Sequence, residues 1–507
     1  MSKARQGGPN VRGTSDDEHQ PRLVHTGNFL AAVRDSGYRS TSYAIAELVD
    51  NAIQAEATDV QIRVAKTGSD THPIVLTVAD NGIGMSKGTL ALALSFGGST
   101  RFNDRTSLGR YGMGLPTASL SCARQVDVVS WRGAVSQRAQ MNLDELMRSD
   151  STALPPVTRT NAGWSRESGW KTGTVVQLSR CDRLAYQKVG WLVARLETDL
   201  SRIFRTFIRQ GLRITVNDRR LEQLDHLMLL RTDGLPGARA FGEPLEYGLD
   251  GERGRGKVVV RFSELPVQAW VGVAPDEKKR AGITNGTPVS VLRAGREIVS
   301  GWYFMGSKRR ENYDDWWRCE IDFEPALDEL FGLSHAKQSI SPTEFLTAIL
   351  SSDLESIARA LNSRVRRSFE LTKLADPLRK AELIAGKANA SLPQLRFQGQ
   401  TSNRHQAPNH PYKLDLADLN STMPYDLATE NGSILLRINT GHPFFTDLYS
   451  PLANSDSPAD REAATRVALS VLATARAEFT TPNSSSGDPE SRRRWGDILA
   501  TFLSRCA

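Results

Sequence analysis

The chain has 507 residues, of which 39% are hydrophobic and 24% charged, with a formal net charge of +7. That length exceeds one core and points to roughly two to four domains, while so dilute a positive balance permits nucleic-acid contact without requiring it. No apolar run reaches the roughly 18 residues of a membrane helix, and Cys122, Cys181, Cys319 and Cys506 lack CxxC spacing, which argues against structural zinc or a disulfide framework and for a reducing cytoplasm.

Residues 1–21 carry no apolar stretch of the kind a secretory signal needs and read as a disordered lead. Residues 28–57 read as helix, broken around Gly37. Val60, Ile62 and Val64 alternate as in a half-buried strand, and Ile74, Leu76 and Val78 repeat the pattern into the turn Asp80-Asn81-Gly82. A helical stretch spans Ser86 to Leu94, and a polar, glycine-rich segment runs from Phe96 to Tyr111. Pro116 stands where a helix would begin. Gln125 to Trp131 and Gly173 to Leu178 read as strands, and Tyr186 to Arg209 as a long helix.

A second block, 236–342, carries strand patterns at Lys257 to Phe262, Val267 to Val273 and Pro288 to Leu292. Residues 343–392 form a helical segment, and 393–411 a linker rich in Pro, Gln, Asn and His. The last block, 412–507, combines a strand at Ser433 to Ile438 with helices and a surface loop, TTPNSSSGDPESRRR. No internal repeat is present. The eight histidines show no metal spacing. His442-Pro443-Phe444-Phe445 reads as an aromatic core plug, and Arg492 to Arg494 before Trp495 as a solvated loop.

Three motifs carry chemistry. Glu47, Asp50 and Asn51, at i, i+3 and i+4, share one helix face. An amide beside a carboxylate can ligate Mg²⁺ while the carboxylate takes a proton from water, although a solvated polar face has the same pattern. Asp80, at a strand end, can accept from an exocyclic amine, and Gly82 and Gly84 let the backbone pass close to a flat ring beside Met85; an ordinary Asn-Gly turn reads the same way. Gly109-Arg110-Tyr111-Gly112-Met113-Gly114 opens a helix, where freed N–H groups attract phosphate. After the polar segment it reads as the end of a lid closing over a triphosphate.

The order of these elements, with Gly173-Thr174 behind them, resembles the GHKL superfamily of ATPases. The segments YAIAELVDNAIQAEA, ADNGIGMSKGTLALALSFGGST and LGRYGMGLPTAS are most similar to MORC-type ATPases and their bacterial relatives, over about residues 22–180. The resemblance implies an α+β fold. A GHKL (Bergerat) α/β sandwich would fill 22–235, a transducer-like α/β domain of ribosomal-protein type 236–342, and a mixed, mainly helical region the C-terminus. It implies ATP and Mg²⁺ as ligands, with Glu47 as general base, Asn51 on the metal, and Asp80 reading the adenine with Thr174 nearby. VSVLRAGREI and LFGLSHAKQSI look like transducer segments, which makes Lys337 the counterpart of a lysine that reaches the γ-phosphate. In one departure, Leu115-Pro116 stand where MORC proteins carry a lysine after the last lid glycine.

The function implied is slow ATP hydrolysis that gates closure of a homodimer on DNA or a DNA-associated partner. The same resemblance implies a separate effector protein as a further partner, and genome maintenance or defence against mobile DNA as the setting. The alternatives are a chaperone-like ATPase acting on protein clients and, less well supported, a histidine protein kinase. For the kinase only His19 and His25 precede the first motif, in a segment too short and polar for a phosphoacceptor helix.

Overall fold

A computed structural model describes residues 25–480 apart from 39, 69–70, 99–111, 150–152, 162, 165–167, 231–235, 253, 285, 335–336, 390–391, 393–410 and 431–432; beyond these it describes 489 and 492–493. In chain order the first unit comprises α1 (Thr26–Asp35), α2 (Thr41–Gln54), β1 (Asp59–Lys66), β2 (Ile74–Asp80), α3 (Lys87–Ala93), α4 (Gly114–Cys122), β3 (Ala123–Arg132), β4 (Val135–Asn142), α5 (Leu143–Ser149), β5 (Thr158–Arg159), β6 (Thr172–Cys181), α6 (Val189–Ile203), α7 (Arg205–Arg209), β7 (Arg213–Val216) and β8 (Arg219–Arg220). Its strands form one sheet in the order β5-β4-β3-β6-β2-β1-β7-β8. Only β1 and β7 run parallel.

The strand alternation explains the two layers. Val60, Ile62, Val64, Leu76, Val78, Val126, Val128, Val176 and Leu178 point to one face and are buried with Ile45, Leu48 and Val49 of α2 and Leu192, Leu196 and Leu200 of α6. The opposite face carries a small cluster of Ala79, Trp131 and Val175 against Trp164 and Trp170. The helix expected from Tyr186 to Arg209 is two helices instead. The chain turns at Phe204, whose fully buried ring anchors the break.

The second unit follows with β9 (Arg239–Ala240), β10 (Leu245–Gly251), β11 (Gly254–Glu264), α8 (Val267–Trp270), α9 (Pro275–Arg280), β12 (Val289–Arg293), β13 (Arg296–Gly301), β14 (Trp317–Phe323), α10 (Asp328–Phe331) and α11 (Glu344–Ala388). Its sheet runs β10-β11-β14-β12-β13, with β9 paired to β11. The run Val267 to Val273, expected as a strand, is the short helix α8 followed by a turn over 271–273, with Trp270 driven into a core with Ile283, Trp316 and Val365. A short apolar run fits either structure, and here Pro266 at the helix N-cap and the burial of Trp270 decide.

α11 is 45 residues long and belongs to two cores. Leu346, Leu350, Leu354, Ala358 and Leu361 pack on the second sheet. Leu374, Leu378 and Ala381 pack on a third sheet, made of β15 (Tyr412–Ala417), β16 (Tyr425–Glu430) and β17 (Ser433–Asn439) in the order β15-β17-β16. That core is closed by α12 (Ser450–Asn454) and α13 (Pro458–Thr480). The single strand expected in the last block is therefore the centre of a three-stranded sheet. Phe444, Phe445 and Tyr449 plug its core, as the aromatic run requires. Arg492 is buried rather than solvated, with its guanidinium over the Tyr425 ring; Arg494 and Trp495 lie outside the described residues. Among the described residues no helix is long and apolar enough to cross a membrane.

Candidate active site

Register builds the floor of the site. Asp80 lies opposite Val60 on one side and Thr174 on the other, and Thr174 lies opposite Ser130. On β2, Leu76, Val78 and Asp80 share the helix-facing side, and Thr174 and Ser130 end the same apolar rows on β6 and β3. Three polar side chains thus replace the core where the helical layer opens. Ser130 Oγ donates to Gly173 O at 3.0 Å, lies 3.0 Å from Thr174 Oγ1, and accepts from Met85 N at 2.7 Å.

The turn after Asp80 is bolted to the end of α2. Asn81 Oδ1 accepts from the backbone N–H groups of Thr58 and Asp59, at 2.8 and 2.9 Å. Ile83 N donates to Ala55 O at 2.9 Å. A Cβ on Gly82 would come within 2.6 Å of Ala55 O, and one on Gly84, at φ +66°, would overlap Trp131 O. These glycines therefore serve close backbone approach as well as turning. Gly84→Ala is expected to cost about 1–3 kcal/mol of stability through the left-handed backbone, read from urea unfolding midpoints. An unchanged midpoint would show that the turn can shift.

Asp80 is buried, and burial pushes its carboxyl up to about 6, although the N–H groups of Gly82 and Thr174 pull it back. Gly82 N donates to Asp80 Oδ1 at 2.9 Å. Arg132 clamps the same turn from outside, donating to Ile83 O and Gly84 O at 3.1 and 2.8 Å.

α2 supplies the wall. Ser40 caps it, and its apolar face sinks into the core while Glu47, Asp50 and Asn51 share the other side. Glu47 and Asp50 are buried and Asn51 is half-buried. α4 begins at Gly114, two residues before the expected start, and a Cβ there would overlap the Glu47 carboxylate. The helix N-terminus can meet Glu47 only because residue 114 has no side chain. Arg34 of α1 braces α4, donating to Leu120 O at 2.9 Å and pairing with Asp182.

The second unit completes the site. Lys337 Nζ lies 3.1 Å from both Glu47 oxygens and 2.9 Å from Asp50 Oδ2. Arg296, fully buried, donates through Nε to Asp50 at 3.0 Å. Burial alone would lower the Arg296 guanidinium, but Asp50 and Glu47 outweigh it and hold it above its ordinary value. Tyr38 bonds Glu47, and burial together with that carboxylate pushes its phenol well up.

These groups surround a cavity of about 820 Å³, within the range of small-molecule sites. Glu47, Asn51, Asp80, Gly84, Met85, Gly112, Met113, Gly114, Thr174 and Lys337 all line it. Gly82 stands just behind Asp80, and Gly109, Arg110 and Tyr111 lie outside the described residues. The Asn51 side chain faces the cavity without a hydrogen bond to any described residue, which leaves a hard oxygen donor suited to Mg²⁺ beside Glu47. Several lining residues carry no local sequence signal: Tyr38, Arg132, Arg293 and Asp328. Arg293 and Asp328 form a buried pair at 2.6 Å. Ser130, just behind Thr174, is not singled out by the sequence; the alternation Val126, Val128, Ser130 puts it at the end of an apolar row, but only the register brings it level with Asp80.

Residues 38–169 match the family model of histidine kinase-, DNA gyrase B- and HSP90-like ATPases, so the chain contains a GHKL-type ATPase domain within an α+β fold. Among characterised proteins it is similar to mouse MORC family CW-type zinc finger protein 3, 34% identical over 148 residues, covering 27% of this chain and 14% of that protein. It is similar to mouse ATPase MORC2B, 38% identical over 78 residues, 15% of this chain and 8% of that one. Caenorhabditis elegans ATPase morc-1 is 33% identical over 92 residues, 18% of this chain and 10% of that one. The matches thus span at most 14% of these relatives' length.

Proposed function

We propose that the chain binds ATP in this cavity and hydrolyses it slowly, using the cycle to open and close a two-chain clamp on DNA or a DNA-associated partner. The observation that carries this reading is the contact of Lys337 with Glu47 and Asp50 inside the cavity. A lysine of the second unit, here read as transducer-like, occupies the acids of the first. Whatever changes the charge in the cavity therefore changes how the two units meet.

Asp80 accepts the adenine amino group, and the N-terminus of α4 with Gly112 and Gly114 faces the phosphates. Asn51 is the residue that would hold Mg²⁺, whose bound charge offsets that of the β- and γ-phosphate oxygens. Water attacks the γ-phosphorus, the bond from phosphorus to the bridging oxygen breaks with its electron pair leaving on ADP, and the water proton passes to Glu47. Glu47 cannot take that proton while it is paired with Lys337, so Lys337 must first shift toward the γ-phosphate. With that gate, slow turnover is the expected result.

The test combines nucleotide-binding calorimetry, light scattering and duplex-DNA titration over a range of salt. A non-hydrolysable ATP analogue is expected to double the mass and to strengthen a salt-sensitive DNA affinity. Nucleotide binding without a change of mass would overturn the clamp, and no nucleotide binding would overturn the pocket. Tight protein-client binding without DNA binding would favour the chaperone-like reading.

A further inference from the structure

The first two residues of β13 point opposite ways and grip the first unit with opposite charges. Arg296 reaches Asp50 of α2. Glu297, also buried, accepts from Arg205 of α7 at 2.5 Å and pairs with Arg202 of α6. Arg205 is held as well by Ser290 and Glu320, each at 2.8 Å. Adjacent strand residues project to opposite faces, so one short segment spans the junction between the units.

Arg296 has a second task. Its Nη1 donates to Lys337 O at 3.3 Å. Lys337 itself sits at φ +50°, a left-handed backbone uncommon outside glycine. Its turn is tied by Lys337 N to Ser334 O at 2.9 Å and by Ser334 Oγ, which accepts from Gln338 N and Ser339 N at 3.2 Å. Arg296 therefore fixes both the carboxylate that Lys337 shares and the peptide from which Lys337 projects.

The charges are unequally shared. Lys337 serves two carboxylates, whereas among the described residues Arg296 pairs with Asp50 alone. Its Nη2 is buried and has no hydrogen-bond partner among the described residues. Nε and Nη2 are the two tines with which a guanidinium grips a carboxylate side-on. When Lys337 leaves, Asp50 can close onto both.

We propose that Arg296 is a positioning residue that keeps Asp50 neutralised and the Lys337 turn in place, so that Lys337 can pass from Glu47 to the nucleotide. This rests on the ATP reading above. Without Arg296, Lys337 is the only cation among the described residues paired with the two buried acids, and it stays on them. Glu47 then remains blocked, while the adenine end of the cavity is untouched.

The experiment measures ATP turnover, KM and thermal midpoint for the full chain, Arg296→Gln, Arg296→Lys, and Arg296→Gln combined with Asp50→Asn. Arg296→Gln is expected to lower kcat about tenfold or more, the scale of one lost charge contact, with KM unchanged. Asp50→Asn in the same chain should restore most of that loss, because one acid then no longer competes for Lys337. Arg296→Lys keeps charge without the fork and should fall between, and it decides the matter if Arg296→Gln does not fold. Wild-type kcat in Arg296→Gln, or a kcat loss that Asp50→Asn does not relieve, overturns the proposal. If the unaltered chain neither binds nor hydrolyses ATP, the ATP reading fails instead, and the two failures are distinct.

Discussion

Replacing Glu47 with glutamine is expected to leave ATP bound and to lower its turnover by about 10²- to 10⁴-fold, the usual contribution of a positioned general base. Glutamine has nearly the same shape, so the close fit of Gly114 against this side chain survives. It can still accept a hydrogen bond from Lys337, which lies 3.1 Å from both carboxylate oxygens. What it cannot do is hold the proton released by the attacking water. Phosphate release and binding of a fluorescent ATP analogue, measured on the same preparation, separate the two effects. Hydrolysis at the unaltered rate would remove Glu47 from the base role.

The second large effect is at Asp80. Asparagine there can turn an N–H₂ donor toward the adenine amine, and losing a hydrogen bond to a charged acceptor weakens ATP binding by about 10- to 100-fold. The same carboxyl sets a pH dependence. Burial raises it to about 6, and only its ionised form accepts two donors freely. A bound amine favours the carboxylate, so the complex holds it more ionised than the empty site does. Binding then releases a proton below about pH 6, and affinity is lost as the pH falls through that value. Calorimetry from pH 5 to 8 checks this, with Asp80→Asn as reference because that variant lacks the titrating group. Identical pH profiles for the two chains would detach the dependence from Asp80.

Much of the candidate site's lining was legible because its residues lie in short motifs on regular elements. Glu47, Asp50 and Asn51 share a helix face, and Asp80 ends an alternating strand, so spacing alone brings each set to one surface. What spacing could not supply was the partner of each group. Arg296 lies 246 residues from Asp50, and Lys337 lies 290 from Glu47. Such contacts depend on how two sheets dock, and no local period records that. The misread run Val267 to Val273 shows the other limit: seven residues of mixed apolar sequence fit a strand, but Pro266 and the burial of Trp270 turn the first four into a helix and the rest into a turn. In the last block the alternation of Tyr412, Leu414 and Leu416 did encode a strand, beside the one that was expected.

α11 gives the molecule a mechanical ratio. At 1.5 Å per residue its 45 residues extend about 68 Å. One end is embedded in the unit that carries Arg296 and Lys337, and the other in the third core. A rotation of the second unit by about 10° would sweep the far end of such a rod through about 12 Å. A small turn of the unit that carries Lys337 would thus be read, at the other end of the helix, as a displacement as wide as a helix.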